Sequence, residues 1–370
     1  MKIASYKFCF LVVVQAISCI SVLAQDIQFS QFYTANLYQN PAFAGAAHYS
    51  RVMAHSRIQW PTLNSNSGAN GGKFFTYLGA YDTYIKNYKS GIAIMALRDE
   101  IGRNRINTTE IHAMYSYEVD LNNRFTFRPG LQLGLAQRNY DYQNLLFPIE
   151  LDDNGLNGTN YNPNFGTSKL YPDASAGFLF YDNAFWVGYS AHHINMPNLA
   201  TAGVTRLPVK HALTAGYKFI LHTRTTLNYR TSAKSEFSIT PTVHYKFQGK
   251  ADQVDAGVFC IFDWFLAGLW YRGIPFKNYE KLKYINNESM IAQVGFRWDR
   301  WTVNYSYDFV VSKLGGIRQT GGAHELNITY TFKPHVRIGG NKPTKRLPCP
   351  DFEKQIFLED GSQPSPGAGY

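Results

Sequence analysis

Beyond its first two dozen residues, the sequence lacks any apolar run approaching the ~20 residues that a membrane-spanning helix needs. That excludes a helical-bundle membrane protein. Cysteine is scarce, with 4 in 370 residues, and Cys9 and Cys19 fall in the leader described below. Only Cys260 and Cys349 remain, too few for a disulfide-stapled scaffold. Charged residues are sparse at 17%. Lys and Arg exceed the acids to give a formal net charge of +10, but they form no cluster of the kind that grips a nucleic acid. No nucleophile elbow, phosphate-cradling loop or catalytic carboxylate pair is recognisable by spacing. An enzymatic reading therefore has no candidate residue, and no cofactor or metal is expected.

The sequence has an export leader. Lys2 and Lys7 precede the apolar run Phe8 to Val14, and Val22-Leu23-Ala24 supplies a cleavage site before Gln25. Residues 1–24 are read as a signal peptide. A lipoprotein signal at Cys19 is the rival, but Ala16-Ile17-Ser18 fits that processing pattern poorly.

Aromatic residues are plentiful, at 16% of the chain, although mean hydropathy is negative. An exported, aromatic-rich chain without apolar helices fits a closed β-barrel in an outer membrane, where every backbone group is paired inside the sheet. Period-two alternation supports this. Trp301, Val303, Tyr305, Tyr307 and Phe309 share one face, while Thr302, Asn304, Ser306 and Asp308 share the other. Similar alternation runs through 124–137, 235–247 and 322–333. A soluble sandwich could alternate in the same way. The segments, however, are about 9–12 residues long, the length of a tilted spanning strand. Aromatics also recur at segment ends, as at Tyr181, Phe185, Phe262, Trp264, Trp298 and Trp301, where an interfacial girdle would lie.

The expected strands are 50–58, 73–83, 90–98, 108–119, 124–137, 173–181, 184–192, 210–220, 235–247, 252–262, 264–272, 288–298, 301–310 and 322–333. The fold class is all-β, a closed antiparallel transmembrane barrel of about 14 strands, an even number as bacterial barrels have. Short and long connections mostly alternate, which assigns the short turns and both termini to the periplasm. The long link after the eighth strand and the short one after the ninth break the rule, and a further strand at 225–230 is an open alternative. Glycines inside the strand patterns, such as Gly130 and Gly177, mark bends or places where something approaches the wall closely.

The segment after the leader, QDIQFSQFYTANLYQNPAFAG, is neither a good strand nor a good helix. It resembles the N-terminal signature of the PorP/SprF family of type IX secretion membrane proteins. The resemblance rests on Asp26, Gln28, Phe29, Ser30, Gln31, Phe32 and Tyr33, then Asn40, Pro41, Ala42 and Gly45, followed by Arg51, Arg57, Gln59 and Trp60. Phe185-Trp186-Val187-Gly188, Gly257, Trp264 and Gly268 fit less specifically, and Ser56 departs from the pattern, which has an aromatic there. The resemblance implies an outer-membrane barrel without enzymatic activity that serves type IX secretion or gliding motility. It also implies partners: other secretion components, periplasmic or lipoprotein proteins, or a secreted adhesin as cargo. Composition supplies membrane lipid as a partner and excludes nucleic acid. The rival reading is a passive pore or a transporter of small apolar ligands.

Four regions are therefore expected: a signal peptide at 1–24, a periplasmic N-terminal segment and possible plug at 25–49, the barrel at 50–333, and a periplasmic tail at 334–370. Exposed aromatic surface costs roughly 25 cal/mol per Å² in water. Phe29, Phe32, Tyr33 and Tyr38 are therefore expected to pack at the barrel mouth, with Pro41 turning the chain into the first strand. Interfacial anchoring is the alternative. Arg51, Arg57, Glu110, Glu118, Arg124 and Arg128 are candidates for a charged lumen, either as a constriction or as paired filling. Glu150 to Gly155 half-matches a calcium loop but has Tyr161 where the final acid belongs. His192-His193 and His211 make no complete metal set. In the tail, Cys349, Phe352 and Phe357 are candidates for a docking motif.

Overall fold

A computed structural model describes residues 26–62, 74–102, 106–141, 151–152, 155–156, 166–228, 231–279, 284–312, 320–332 and 347. The wall consists of β1 (Arg51–Gln59), β2 (Phe74–Ile85), β3 (Ser90–Ile101), β4 (Ile106–Tyr117), β5 (Thr126–Tyr140), β6 (Ser168–Tyr181), β7 (Phe185–His192) and β8 (Lys210–Tyr217). It continues through β9 (Phe219–Asn228), β10 (Thr231–Gln248), β11 (Ala251–Phe262), β12 (Phe265–Tyr279), β13 (Tyr284–Trp298), β14 (Trp301–Val310) and β15 (Ala323–Thr331). Strands pair antiparallel around the ring, and β15 returns to β1, with Arg51 opposite Thr331 and Gln59 opposite Ala323. The sheet is closed.

β8 and β9 occupy one position in the ring. β8 pairs with β10 from Gly216 opposite Thr242 to Lys210 opposite Gln248. β9 pairs with the earlier half of the same strand, from Phe219 opposite Ile239 to Asn228 opposite Thr231. The wall is thus fourteen strands around, and the long link expected after the eighth strand is really strand. The open alternative at 225–230 falls largely within β9. The register shifts between Ile220 and His222, and such a bulge breaks period-two alternation.

Burial follows the alternation and gives its sense. On β14, Trp301, Val303, Tyr305 and Phe309 are exposed, while Thr302, Asn304, Ser306 and Asp308 are buried. On β5, Leu131, Leu133 and Leu135 point outward, and Arg128 and Gln132 point inward. An apolar exterior around a polar interior is the inverse of a soluble protein and is stable only against lipid. The molecule is an outer-membrane β-barrel. Cys260 lies on the outward face of β11 between Val258 and Phe262, and it is a free thiol.

We call the end that carries the start of β1 and the end of β15 the terminal rim, and the other the loop rim. Tight turns join strands at the terminal rim, with Asp263 and Asp299 in the left-handed region at φ 56° and 49°, where Asp is tolerated. Phe262, Trp264, Phe296, Trp298 and Trp301 are exposed around it, as an interfacial girdle requires. Tyr181 departs from the expected girdle. Its parity on β6 turns it inward, and it is fully buried.

Candidate functional site

The lumen is occupied by the chain's own N-terminal segment. From the sequence, residues 25–49 are expected before the first strand, on the periplasmic side, as a possible plug whose aromatics pack into or under the barrel mouth. The described part lies within the wall, running from the loop rim at Asp26 to the terminal rim at His48. The reason is its chemistry: no residue between Asp26 and His48 carries a charge at neutral pH, and its aromatics can be covered only inside. Leu37, Ala42, Phe43 and Ala44 are all buried with them.

A short helix, α1 (Asn36–Gln39), leads into a 3-10 turn, Pro41–Phe43. Asn40 caps that turn by accepting a hydrogen bond from the Ala42 N–H at 2.9 Å, and Pro41 suits the first helical position because it has no N–H to satisfy. The Asn40 amide also donates to the carbonyls of Phe178 and Tyr189 at 3.0 and 3.1 Å. One residue therefore turns the segment and ties it to the wall. Two glycines make room for it. A Cβ on Gly91 would collide with the Ala44 carbonyl, and one on Gly130 with the Ala42 backbone.

Above this turn the aromatics interlock. Phe32 stacks on His244 at 5.2 Å between ring centroids, and Tyr33 stacks on Trp270 at 5.2 Å. Phe29 packs edge-on to His55 at 5.7 Å and to Tyr38 at 5.2 Å. Between the rings, the segment's backbone meets wall charges. Ser30 and Gln31 donate their N–H groups to the Glu325 carboxylate at 2.7 and 3.1 Å. The Ser30 hydroxyl donates to Asp308 at 2.6 Å, and Arg272 donates to the Phe29 carbonyl at 3.1 Å. Lower down, Ser116 and Arg128 both donate to the Ala44 carbonyl at 2.7 Å.

The wall charges pair chiefly with one another. Arg57 bridges Asp308 at 2.9 Å and Glu325 at 3.1 Å, across the β1–β15 closure. Arg51 pairs with Asp82 at 3.0 Å, and Arg128 with Glu118 at 2.7 Å. Glu110 meets His112 at 3.0 Å. Of the expected lumen set, Arg124 alone is misplaced. It precedes β5 on a terminal-rim turn, where its side chain is 72% exposed and pairs with Asp182 at 3.1 Å. Sequence reasoning missed Asp255, Arg272, Asp308 and Glu325 as members of this network. Their inward parity was visible, but their partners lie on other strands.

At the loop rim, Asp26 ends the segment in a cluster. His193 contacts Asp26 at 2.8 Å and Asp173 at 2.7 Å. Lys210 lies 3.3 Å from Asp26, and the Asp26 N–H donates to Gln248 at 3.1 Å. Burial opposes both charges. The neighbouring Asp26 and Asp173 nonetheless push His193 up to about 10. Likewise, His193 and Lys210 hold the Asp26 carboxyl well below the usual carboxylate range. Among the described residues, no group of three or more His, Cys, Asp or Glu could hold a metal ion. Above Asp26, Ile27 and Gln28 opens a vestibule of about 550 Å³, ringed by Lys210, Lys246, Asp252 and Glu288 among others.

Much of the calcium-like stretch, including Tyr161, lies outside the described residues. Leu151–Asp152 pairs with Gly155–Leu156 as a small ribbon. Cys349, Phe352 and Phe357 also lie outside them, but Leu347 is described and buried.

Residues 21–330 match the family described as type IX secretion system membrane protein PorP/SprF. A search of curated proteins finds no match. Among solved structures, the Pseudomonas putida toluene transporter TodX is 10% identical at a TM-score of 0.42, over 82% of this chain and 95% of that one. A Pseudomonas aeruginosa FadL homologue is 13% identical at 0.37, over 80% and 98%. The KdgM porin is 11% identical at 0.33, over 76% and 99%. Likenesses this distant carry no argument about what passes or binds.

Proposed function

Because the chain belongs to the PorP/SprF family of type IX secretion system membrane proteins, we propose that it acts as a plugged, non-enzymatic component of that system. In this reading it supports the secretion or surface attachment of partner proteins. Those partners are other secretion components, periplasmic or lipoprotein proteins at the terminal rim, and a secreted adhesin as cargo. The observation that supports this reading is the filled lumen. A passive pore needs a continuous wet path, whereas here the path is crossed by a buried aromatic segment hydrogen-bonded to both halves of the wall. In this reading the terminal rim faces the periplasm and the vestibule faces outward, where Asp26 to Gln28 form its floor.

The test combines two readouts. Purified protein in planar bilayers should be nearly non-conducting, and a chain lacking residues 26–45 should conduct. In cells, loss of the intact chain should abolish secretion of type IX cargo while general outer-membrane protein levels stay constant. Steady conductance by the intact protein, together with undiminished cargo secretion in its absence, would overturn the proposal in favour of a porin.

A further inference from the structure

β9 and the first half of β10 form a ribbon that leaves the wall at the terminal rim. Phe237, opposite Phe262, is the last β10 residue paired to β11. On the other side, Phe185 faces Tyr217, and the Lys218 N–H donates to the Ala184 carbonyl at 2.7 Å. Beyond those points, among the described residues, the two strands pair only with each other, down to Asn228 opposite Thr231. The ribbon therefore projects about six residues, or ~20 Å, past the adjoining rim. A two-stranded ribbon is marginal alone in water, and a bare edge is a template for another strand.

The chain itself supplies a candidate on the same rim. It leaves β15 at Thr331, and Leu347 is 2% exposed within the apolar cluster of the lumen. β15 ends at the terminal rim, and Leu347 lies inside the closed wall. Asp351 follows four positions later. A fourteen-stranded barrel has a radius of roughly 14 Å, which four or five extended residues cover. The sequence DFEKQIFLED at 351–360 carries four acids and one lysine around Ile356-Phe357-Leu358. Residues 218–236 carry four Lys or Arg and one Glu. The charges match, and the chain from Leu347 to Asp351 is long enough to cross from the barrel axis to the wall.

We propose that residues 351–360 add as a third strand along the free edge of β9, anchored by Leu347. The ribbon is then a strand-exchange site, open to an extended acidic segment of another protein only when the tail is displaced. This inference rests on the fold and does not require the secretion reading.

Hydrogen exchange read by mass spectrometry tests it, on the full chain and on one ending after Pro350, which keeps Leu347. Exchange of β9 amides from 222 to 228 should be at least about tenfold slower in the full chain, while β1 to β5 stay unchanged as a check on folding. A synthetic peptide of residues 351–360 should restore protection to the shortened chain. Ile356→Pro in the full chain should mimic the truncation, since proline removes a ladder donor. Equal β9 exchange in the full and shortened chains, or no effect of peptide and proline alike, would overturn the proposal.

Discussion

Phe32→Ala tests whether the aromatic segment is what closes the lumen. Phe32 is 1% exposed, stacks on His244 and lies edge-on to Tyr33 and Trp270 at 5.8 and 6.2 Å. Truncating a phenylalanine so enclosed costs about 3–5 kcal/mol. The loss falls on seating of the segment, because wall pairing does not involve Phe32. At about 1.4 kcal/mol per decade, the equilibrium for leaving the lumen should shift by roughly a hundredfold to a few thousandfold. Two readouts follow: single-channel opening in planar bilayers, and modification of a cysteine introduced at Thr34, whose side chain is buried. Both should rise in the variant, while the infrared β signal persists. Leu133→Ala removes a similar apolar group from the lipid face, where Leu133 is 69% exposed, and should change neither. Phe32→Ala with wild-type silence and a wild-type labelling rate would refute the reasoning.

Other perturbations separate seating, closure and the rim cluster. Gly130→Leu forces a side chain into the Ala42 backbone; overpacking of this kind costs about 1–3 kcal/mol, and the same Thr34 labelling should accelerate. Arg57→Met leaves Glu325 without its cation and Asp308 with only Arg272 at 3.4 Å, a loss of about 3–5 kcal/mol for a buried network. The denaturant midpoint in detergent should fall, and it should fall less for Arg57→Met combined with Asp308→Asn and Glu325→Gln. The Asp26–His193 contact has a defined pH window. His193 is raised to about 10, so its contribution is complete below its ordinary value of about 6.5 and disappears as pH climbs through about 10. Asp26 is lowered, so its contribution is present above about 3.9 and is lost only in stronger acid. Proteolytic nicking near Ile27 should stay slow across neutrality and quicken above pH 10. His193→Gln should quicken it at pH 7 and remove the alkaline step.

The wall was legible because lipid outside and polar groups inside impose a strict two-residue period, as Trp301 to Phe309 show. The period failed where geometry breaks it: Phe219-Ile220-Leu221 puts three apolar residues in a row beside a bulge, and there the link was misread as a loop. The N-terminal segment was legible as needing cover, since its aromatics are dense and its charges absent. Its course inside the wall was not, because the groups that hold it, such as Glu325 and Phe178, come from strands far along the chain. Arg57 likewise advertised an inward charge, but its partners lie 251 and 268 residues away, a separation no local spacing encodes. Arg124 was misassigned by parity because parity has no meaning in the turn before β5.

The neutrality of residues 27–47 has an electrostatic consequence. Arg51, Arg57 and Arg128 find their counter-ions on the wall, and the guest contributes only dipoles and rings. Withdrawal of those residues would strand no ion below the loop rim, where Asp26 alone sets a charge against His193 and Lys210; water could take over each dipole in turn. Below that rim, what resists departure is chiefly the wetting of rings, a resistance that salt leaves nearly untouched and that a competing greasy peptide could match.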